Sequence, residues 1–125
     1  MTEGETGVQT HKGSCHCGAV AFEVDTDLSQ VIECNCSHCY RKGLWLTFVE
    51  PDKFRVTSGE SQLTEYLFNL HRIHHLICPT CGVESFGRGE DPSGKTMMAV
   101  NIRCLTDVEP FSVKPTMQFD GRNKL

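Results

Sequence analysis

The sequence predicts a mainly β domain, built of antiparallel strands with metal-binding knuckles at strand ends. Three observations carry that expectation. Apolar and polar residues alternate with period two through most of the chain, in segments rich in β-branched and aromatic types. Turn-forming clusters ("EPDK", "TSGE", "CPTCG", "GRGEDPSGK") separate those segments. Eight cysteines among 125 residues fall in tight groups rather than being spread along the chain. No window carries the periodicity of a long amphipathic helix.

Residues 1–11 are polar and read as a flexible lead-in, with residues 12–125 forming a single domain. "AVAFEV" (19–24) is the clearest strand, with Val20, Phe22 and Val24 on one face. "SHCYRKG" (37–43) suits one helical turn, with Ser37 placed to cap it. "LWLTFV" (44–49) is apolar enough to be buried on both faces, and Trp45 and Phe48 read as core. "FRV" (54–56), "LTEYLF" (63–68), "RIHHLI" (72–77) and "MMAVNIRC" (97–104) continue the strand pattern. In them, Met97 and Met98 read as packing, and at most one of His74 and His75 can face a given site, because successive strand residues point to opposite faces.

The bulk properties narrow the function. A net charge of −4 offers no basis for a general nucleic-acid or membrane-surface binder. The longest apolar runs, such as Leu44–Val49, are far too short to span a bilayer. The first residues lack the charged start and apolar stretch of a secretion signal, so a soluble, cytoplasmic protein is expected.

The cysteine spacings are C-x-C at 15/17, C-x-C-x-x-C at 34/36/39 and C-x-x-C at 78/81, with Cys104 apart. Disulfides that stabilise small secreted domains close long loops, whereas metal ligands come in close pairs, so zinc is favoured. In "CPTCG" (78–82) the turn aims two sulfurs at one metal, and Gly82 permits a backbone conformation that a Cβ would penalise. "CHCG" (15–18) supplies a second pair followed by glycine. Together Cys15, Cys17, Cys78 and Cys81 make a closed four-thiolate structural site. Cys34, Cys36 and Cys39 then remain as three ligands, the number that a catalytic zinc has when it keeps one position exchangeable. A fourth protein ligand from His38, His71, His74, His75 or Cys104 is the alternative.

"GSCHCGAVAFEV", "CNCSHCYRKG", "HHLICPTCG" and "AVNIRCL" follow one another in an order and spacing that resembles the glutathione-dependent formaldehyde-activating enzyme family, over roughly residues 12 to 120. The resemblance implies the Mss4-like β fold and two zinc ions per chain. By motif match it puts Cys15, Cys17, Cys78 and Cys81 at the structural zinc and Cys34, Cys36 and Cys39 at the catalytic one. It further implies a carbon–sulfur lyase that adds glutathione, or a similar small-molecule thiol, to formaldehyde or a related aldehyde. Glutathione carries two carboxylates, so cations should line its site. Arg41 and Lys42 directly follow Cys39, and Arg41 is the preferred partner for a substrate carboxylate; Arg72, Arg88 and Arg103 are further candidates.

Two other functions stay open on sequence alone. One is a non-catalytic, zinc-stabilised binding module, since the Mss4-like fold also serves in partner binding. The other is a thiol redox enzyme using Cys104, whose place on a late strand resembles the nucleophile of methionine-R-sulfoxide reductases; a buried core cysteine is the plainer reading. His16 and His38, inside the cysteine loops, read as solvent-facing or as hydrogen-bond donors around the metal. The sequence specifies no oligomeric state.

Overall fold

A computed structural model of the chain describes residues 7–67, 73–91 and 93–124. Among the described residues, ten strands form two sheets. The smaller sheet has the order β1-β2-β5, from Gln9–Ser14, Ala21–Thr26 and Phe54–Ser58. The larger has the order β10-β3-β4-β9-β8-β7-β6. Its strands are β3 (Ile32–Cys34), β4 (Trp45–Val49), β6 (Thr64–Tyr66), β7 (Ile73–Ile77), β8 (Glu84–Glu90), β9 (Thr96–Asn101) and β10 (Met117–Phe119). All neighbours are antiparallel except β10 and β3, which run parallel. The helices among the described residues are short: α1 (Ser37–Lys42), α2 (Gly121–Lys124) and three single 3₁₀ turns. The expected mainly β architecture is what the chain forms. No helix among the described residues is long and apolar enough to cross a membrane.

The two sheets meet over an aromatic and aliphatic core. Val20, Phe22 and Val24 are at most 1 % exposed, so the face expected from "AVAFEV" is the buried one. The Phe22 ring lies 5.3 Å from Phe54 within the small sheet and 6.4 Å, edge-on, from Phe86 of the large one. Phe54 and Phe86 close the triangle at 4.7 Å, a range in which tilted aromatic pairs attract beyond their area burial. Met98 and Val100 of β9 and Val49 of β4 join this cluster.

A second, smaller cluster lies on the opposite face of the large sheet. Period-two alternation sends Val49, Met98 and Val100 to the first core, while Leu46 and Ala99 pack with Cys34, Cys36, Cys39 and Leu44. The three clustered thiols are therefore seated on the apolar back of β4 and β9.

Some local features differ from expectation. Phe48, expected in the core, is 45 % exposed, because it shares the Leu46 face of β4 but extends beyond the cysteine cluster. Trp45 does pack against the core and carries the Arg103 guanidinium at 4.6 Å from its ring centroid. Cys36, not Ser37, caps α1: its sulfur accepts the backbone N–H of Cys39. β1 starts at Gln9, inside the stretch expected as a lead-in, and β8 runs into the glycine-rich "GRGE" expected as turn. Residues 1–6, Phe68, His71 and Arg72 lie outside the described residues, so the readings that fall on them have no structural counterpart here.

Candidate metal centres

None of the eight cysteines forms a disulfide. Seven of them collect into the two groups expected from their spacing. In the first, the ligand atoms of Cys15, Cys17, Cys78 and Cys81 all lie within 4.8 Å of one another. Cys15 Sγ is 3.7 Å from Cys17 Sγ, which is 3.6 Å from Cys78 Sγ. A disulfide would bring sulfurs to about 2.05 Å. Four sulfurs at about 2.3 Å from a tetrahedral zinc stand about 3.8 Å apart. The observed separations match the metal cage.

Local backbone geometry explains how the sulfurs converge. Cys78 N–H bonds the Val83 carbonyl at 3.0 Å and Gly82 N–H bonds the Cys78 carbonyl at 2.8 Å, closing a tight turn between β7 and β8. Gly82 completes it at φ +80°, and Gly18 does the same for the first pair at φ +84°, a region where a Cβ is penalised. Backbone N–H groups also point at sulfur. Val20 N–H lies 3.3 Å from Cys15 Sγ, and the N–H groups of Cys17 and Val83 draw the Cys81 thiol down to about 6. Donors aimed at sulfur favour the thiolate, the form that binds metal.

The second group is Cys34 from β3, Cys36 at the cap of α1 and Cys39 within α1, again with ligand atoms within 4.8 Å. Each residue is 8 % exposed. Cys36 N–H points at Cys34 Sγ (3.4 Å) and Cys39 N–H at Cys36 Sγ (3.3 Å). Without a cation, burial raises the pKa of both Cys34 and Cys39, and the neighbouring thiols raise Cys39 further. Three thiols confined together resist ionisation until a positive charge is placed among them. The donor set thus suits a thiophilic divalent ion.

No described residue completes this second set. His38 lies between its ligands in sequence but turns away: its Nε2 is 2.8 Å from Glu84 Oε1. His75 Nδ1 is 2.9 Å from the other oxygen of the same carboxylate. His74 pairs with Glu65. Cys104 belongs to the core between the sheets, 9 % exposed. His71 is outside the described residues.

A cleft of about 520 Å³ opens along α1, lined by Ser37, His38, Arg41, Lys42, Tyr66 and Ile77, with none of the three cysteines in its wall. Arg41, expected at the rim, is exposed there and holds the Ser37 carbonyl through Nη1 at 3.1 Å. Lys42 Nζ stands 3.8 Å from Glu84 Oε1. Tyr66 stacks on His38 with ring centroids 5.6 Å apart. Arg103 sits on Trp45, and Arg88 lines a different cleft of about 340 Å³ between the sheets. The structure therefore gathers Arg41 and Lys42 at one mouth and sends the other described arginine candidates elsewhere.

Cys104 is placed as a core thiol. Burial pushes it up to about 11, leaving roughly one molecule in ten thousand as thiolate at pH 7. Cys104→Ala is expected to leave metal uptake by the two cysteine groups unchanged and to cost about 1–2 kcal/mol of stability. Metal analysis and urea melts check both halves; loss of a bound metal would make Cys104 a ligand rather than a core thiol.

The sequence profile of the "Glutathione-dependent formaldehyde-activating enzyme" family matches residues 10–120. A protein of Talaromyces marneffei, whose name provisionally assigns it the same activity, is 32% identical over 94 residues. That alignment covers 70% of this chain and 50% of the relative, so the chain spans about half the length of the curated relative it matches. A crystal structure of a Rhodobacter sphaeroides protein superimposes with a TM-score of 0.76 at 31% identity, covering 86% of this chain and 99% of the other.

Proposed function

The chain belongs to the glutathione-dependent formaldehyde-activating enzyme family, and on that premise we propose that it joins a small thiol to an aldehyde at the Cys34–Cys36–Cys39 centre. The observation that carries this reading is a buried set of three thiols that no described protein group completes; α1, which carries Cys39, also lines a cleft bearing two cations. The family association points to glutathione and formaldehyde, and to zinc as the metal. In the reducing cytoplasm, where we place the protein, all eight thiols remain available.

In this reading Cys15, Cys17, Cys78 and Cys81 hold a structural zinc and Cys34, Cys36 and Cys39 a second one. A zinc held by Cys34, Cys36 and Cys39 would supply one thing, coordination that keeps an incoming thiol deprotonated at neutral pH. Three thiolates would leave such an ion with a net charge of −1, which favours that role over Lewis-acid activation of the aldehyde oxygen. The remaining work falls to the protein. Arg41 and Lys42 hold the carboxylates of the thiol substrate at the mouth of the cleft. Leu44, Leu46 and Ala99 pack around the thiols and keep bulk water from their inner side. The sulfur then attacks the carbonyl carbon, one C–S bond forms, and the C=O π pair takes up a proton to become the hydroxyl of S-(hydroxymethyl)glutathione. The reverse direction breaks the same C–S bond and is the lyase reaction. Because the two reactants also combine unaided, the gain is one of rate through positioning.

The test is to follow glutathione–formaldehyde exchange by NMR magnetisation transfer, with and without zinc-loaded protein. The expected result is faster exchange at an unchanged equilibrium constant. Protein that holds both metals yet accelerates exchange with neither glutathione nor other small thiols would instead support a binding module.

A further inference from the structure

A buried cluster whose residues adjoin both cysteine groups in the chain is not used by the proposed reaction. Glu84, 5 % exposed, receives His38 on one carboxylate oxygen and His75 on the other. The histidine rings lie against each other with centroids 3.8 Å apart. Three such side chains within 4.8 Å invite a metal-site reading. Distances decide against it. Nitrogen and oxygen ligands at about 2.0–2.1 Å from a tetrahedral metal stand about 3.3 Å apart, whereas these contacts are 2.8 and 2.9 Å, hydrogen-bond lengths. The carboxylate is ionised: burial alone would raise its pKa, but the hydrogen bonds from His75 and His38 outweigh that and lower it. An ionised carboxylate only accepts, so both rings must donate.

The fold goes out of its way to put Glu84 there. Leu76 pairs with Phe86 but Ile77 pairs with Glu84, so Ser85 is an extra residue in β8, a β-bulge. In a regular strand Glu84 would share the core-facing side of Phe86. The bulge turns it to the other face, the one carrying the three-thiol centre. Its main chain is pinned as well, since Asn101 Nδ2 donates to the Glu84 carbonyl at 3.1 Å. By sequence, Glu84 is the third residue after Cys81 and His75 the third before Cys78, whereas His38 lies between Cys36 and Cys39.

We propose that Glu84 is a positioning residue that yokes the two centres: anchored at the base of the Cys78–Cys81 knuckle, it holds His38 and thereby sets the α1 turn that presents Cys36 and Cys39 to a metal. The proposal rests on the three-thiol group being a metal site. Order at the four-thiol knuckle then becomes a condition for tight binding at the other centre, and Glu84 is the link.

The experiment is a cobalt(II) titration of the full-length, metal-depleted protein, followed by thiolate-to-cobalt absorption and by competition with a chromophoric chelator. It compares wild type with Glu84→Ala and Glu84→Gln. Outer partners that orient a metal site change its affinity by roughly 10–100-fold. Glu84→Ala is therefore expected to weaken the looser of two binding events at least tenfold and shift its absorption, leaving the tighter event unchanged. Glu84→Gln keeps the shape and can accept from one ring while donating to the other, so it should recover most of that affinity. Should Glu84→Ala not fold, His38→Phe cuts the same link from the other end and should weaken the looser event similarly. Affinities within twofold of wild type for Glu84→Ala, or for His38→Phe in its place, would overturn the proposal, as would a Glu84→Gln variant as weak as the alanine one. Wild-type protein that takes up only one cobalt would overturn the metal-site reading beneath it, a distinct outcome.

Discussion

Replacing Cys36 or Cys39 by serine is expected to lower kcat/KM for the thiol–aldehyde reaction at least about a hundredfold, with the fold and one tightly held metal intact. The size follows from what each sulfur does. A free thiol is only a few per cent ionised at neutral pH, whereas a metal-bound one is fully so, and losing the metal also forfeits the positioning that makes the encounter productive. Together these amount to about 3 kcal/mol of barrier, or two powers of ten. Stability should hold, because the three-thiol cluster lies behind β4 and β9, apart from the aromatic core between the sheets. The checks are steady-state rates corrected for the uncatalysed reaction, metal content, and a thermal melt. A serine variant with wild-type rates would remove the centre from the mechanism.

Cys78→Ala should have the opposite signature. Cys78 is 1 % exposed and belongs at once to the four-thiol set and to the main core. A closed zinc site contributes roughly 10–16 kcal/mol of apparent binding free energy at neutral pH, as much as a small domain's whole net stability. Losing one of four ligands, together with the β7–β8 turn they organise, should remove the cooperative thermal transition or lower its midpoint by more than about 15 °C. Both metals should be lost together, since α1 is held to the knuckle through Glu84. Circular dichroism melts with parallel metal analysis test this. A variant that melts like wild type would mean that the sheets hold without the knuckle.

Much of this arrangement can be read from the sequence, and what cannot has identifiable causes. The division of cysteines into four and three follows from spacing, because ligands that share a turn must be close in sequence. The inward face of "AVAFEV" follows from period two alone. Glu84 escapes such reading because a bulge at Ser85 reverses the face that alternation assigns to it. The His38–Glu84–His75 cluster joins residues up to 46 positions apart that no local pattern links. Its one sequence signal is the placing of His75 and Glu84 symmetrically about the C-x-x-C pair. Phe48 misled because an apolar strand residue is core only if something covers it, and the cysteine cluster stops short. The Ser37 cap failed to a competitor one residue earlier: the Cys36 sulfur accepts the Cys39 N–H and ties the helix start to the centre.

Acid should act on both centres in one direction. Glu84 has a lowered pKa, so the stability it lends is present above the ordinary glutamate range and is lost as pH falls through its lower folded value. Thiolates take up protons and release metal over the same descent.

The most direct test of the central claim is to count zinc per chain in freshly reduced protein, before and after brief exposure to a mild chelator. An exchangeable, three-thiol centre beside a closed four-thiol one predicts a value close to two that falls to one. Two ions that both resist removal, or a single ion at the outset, would contradict it.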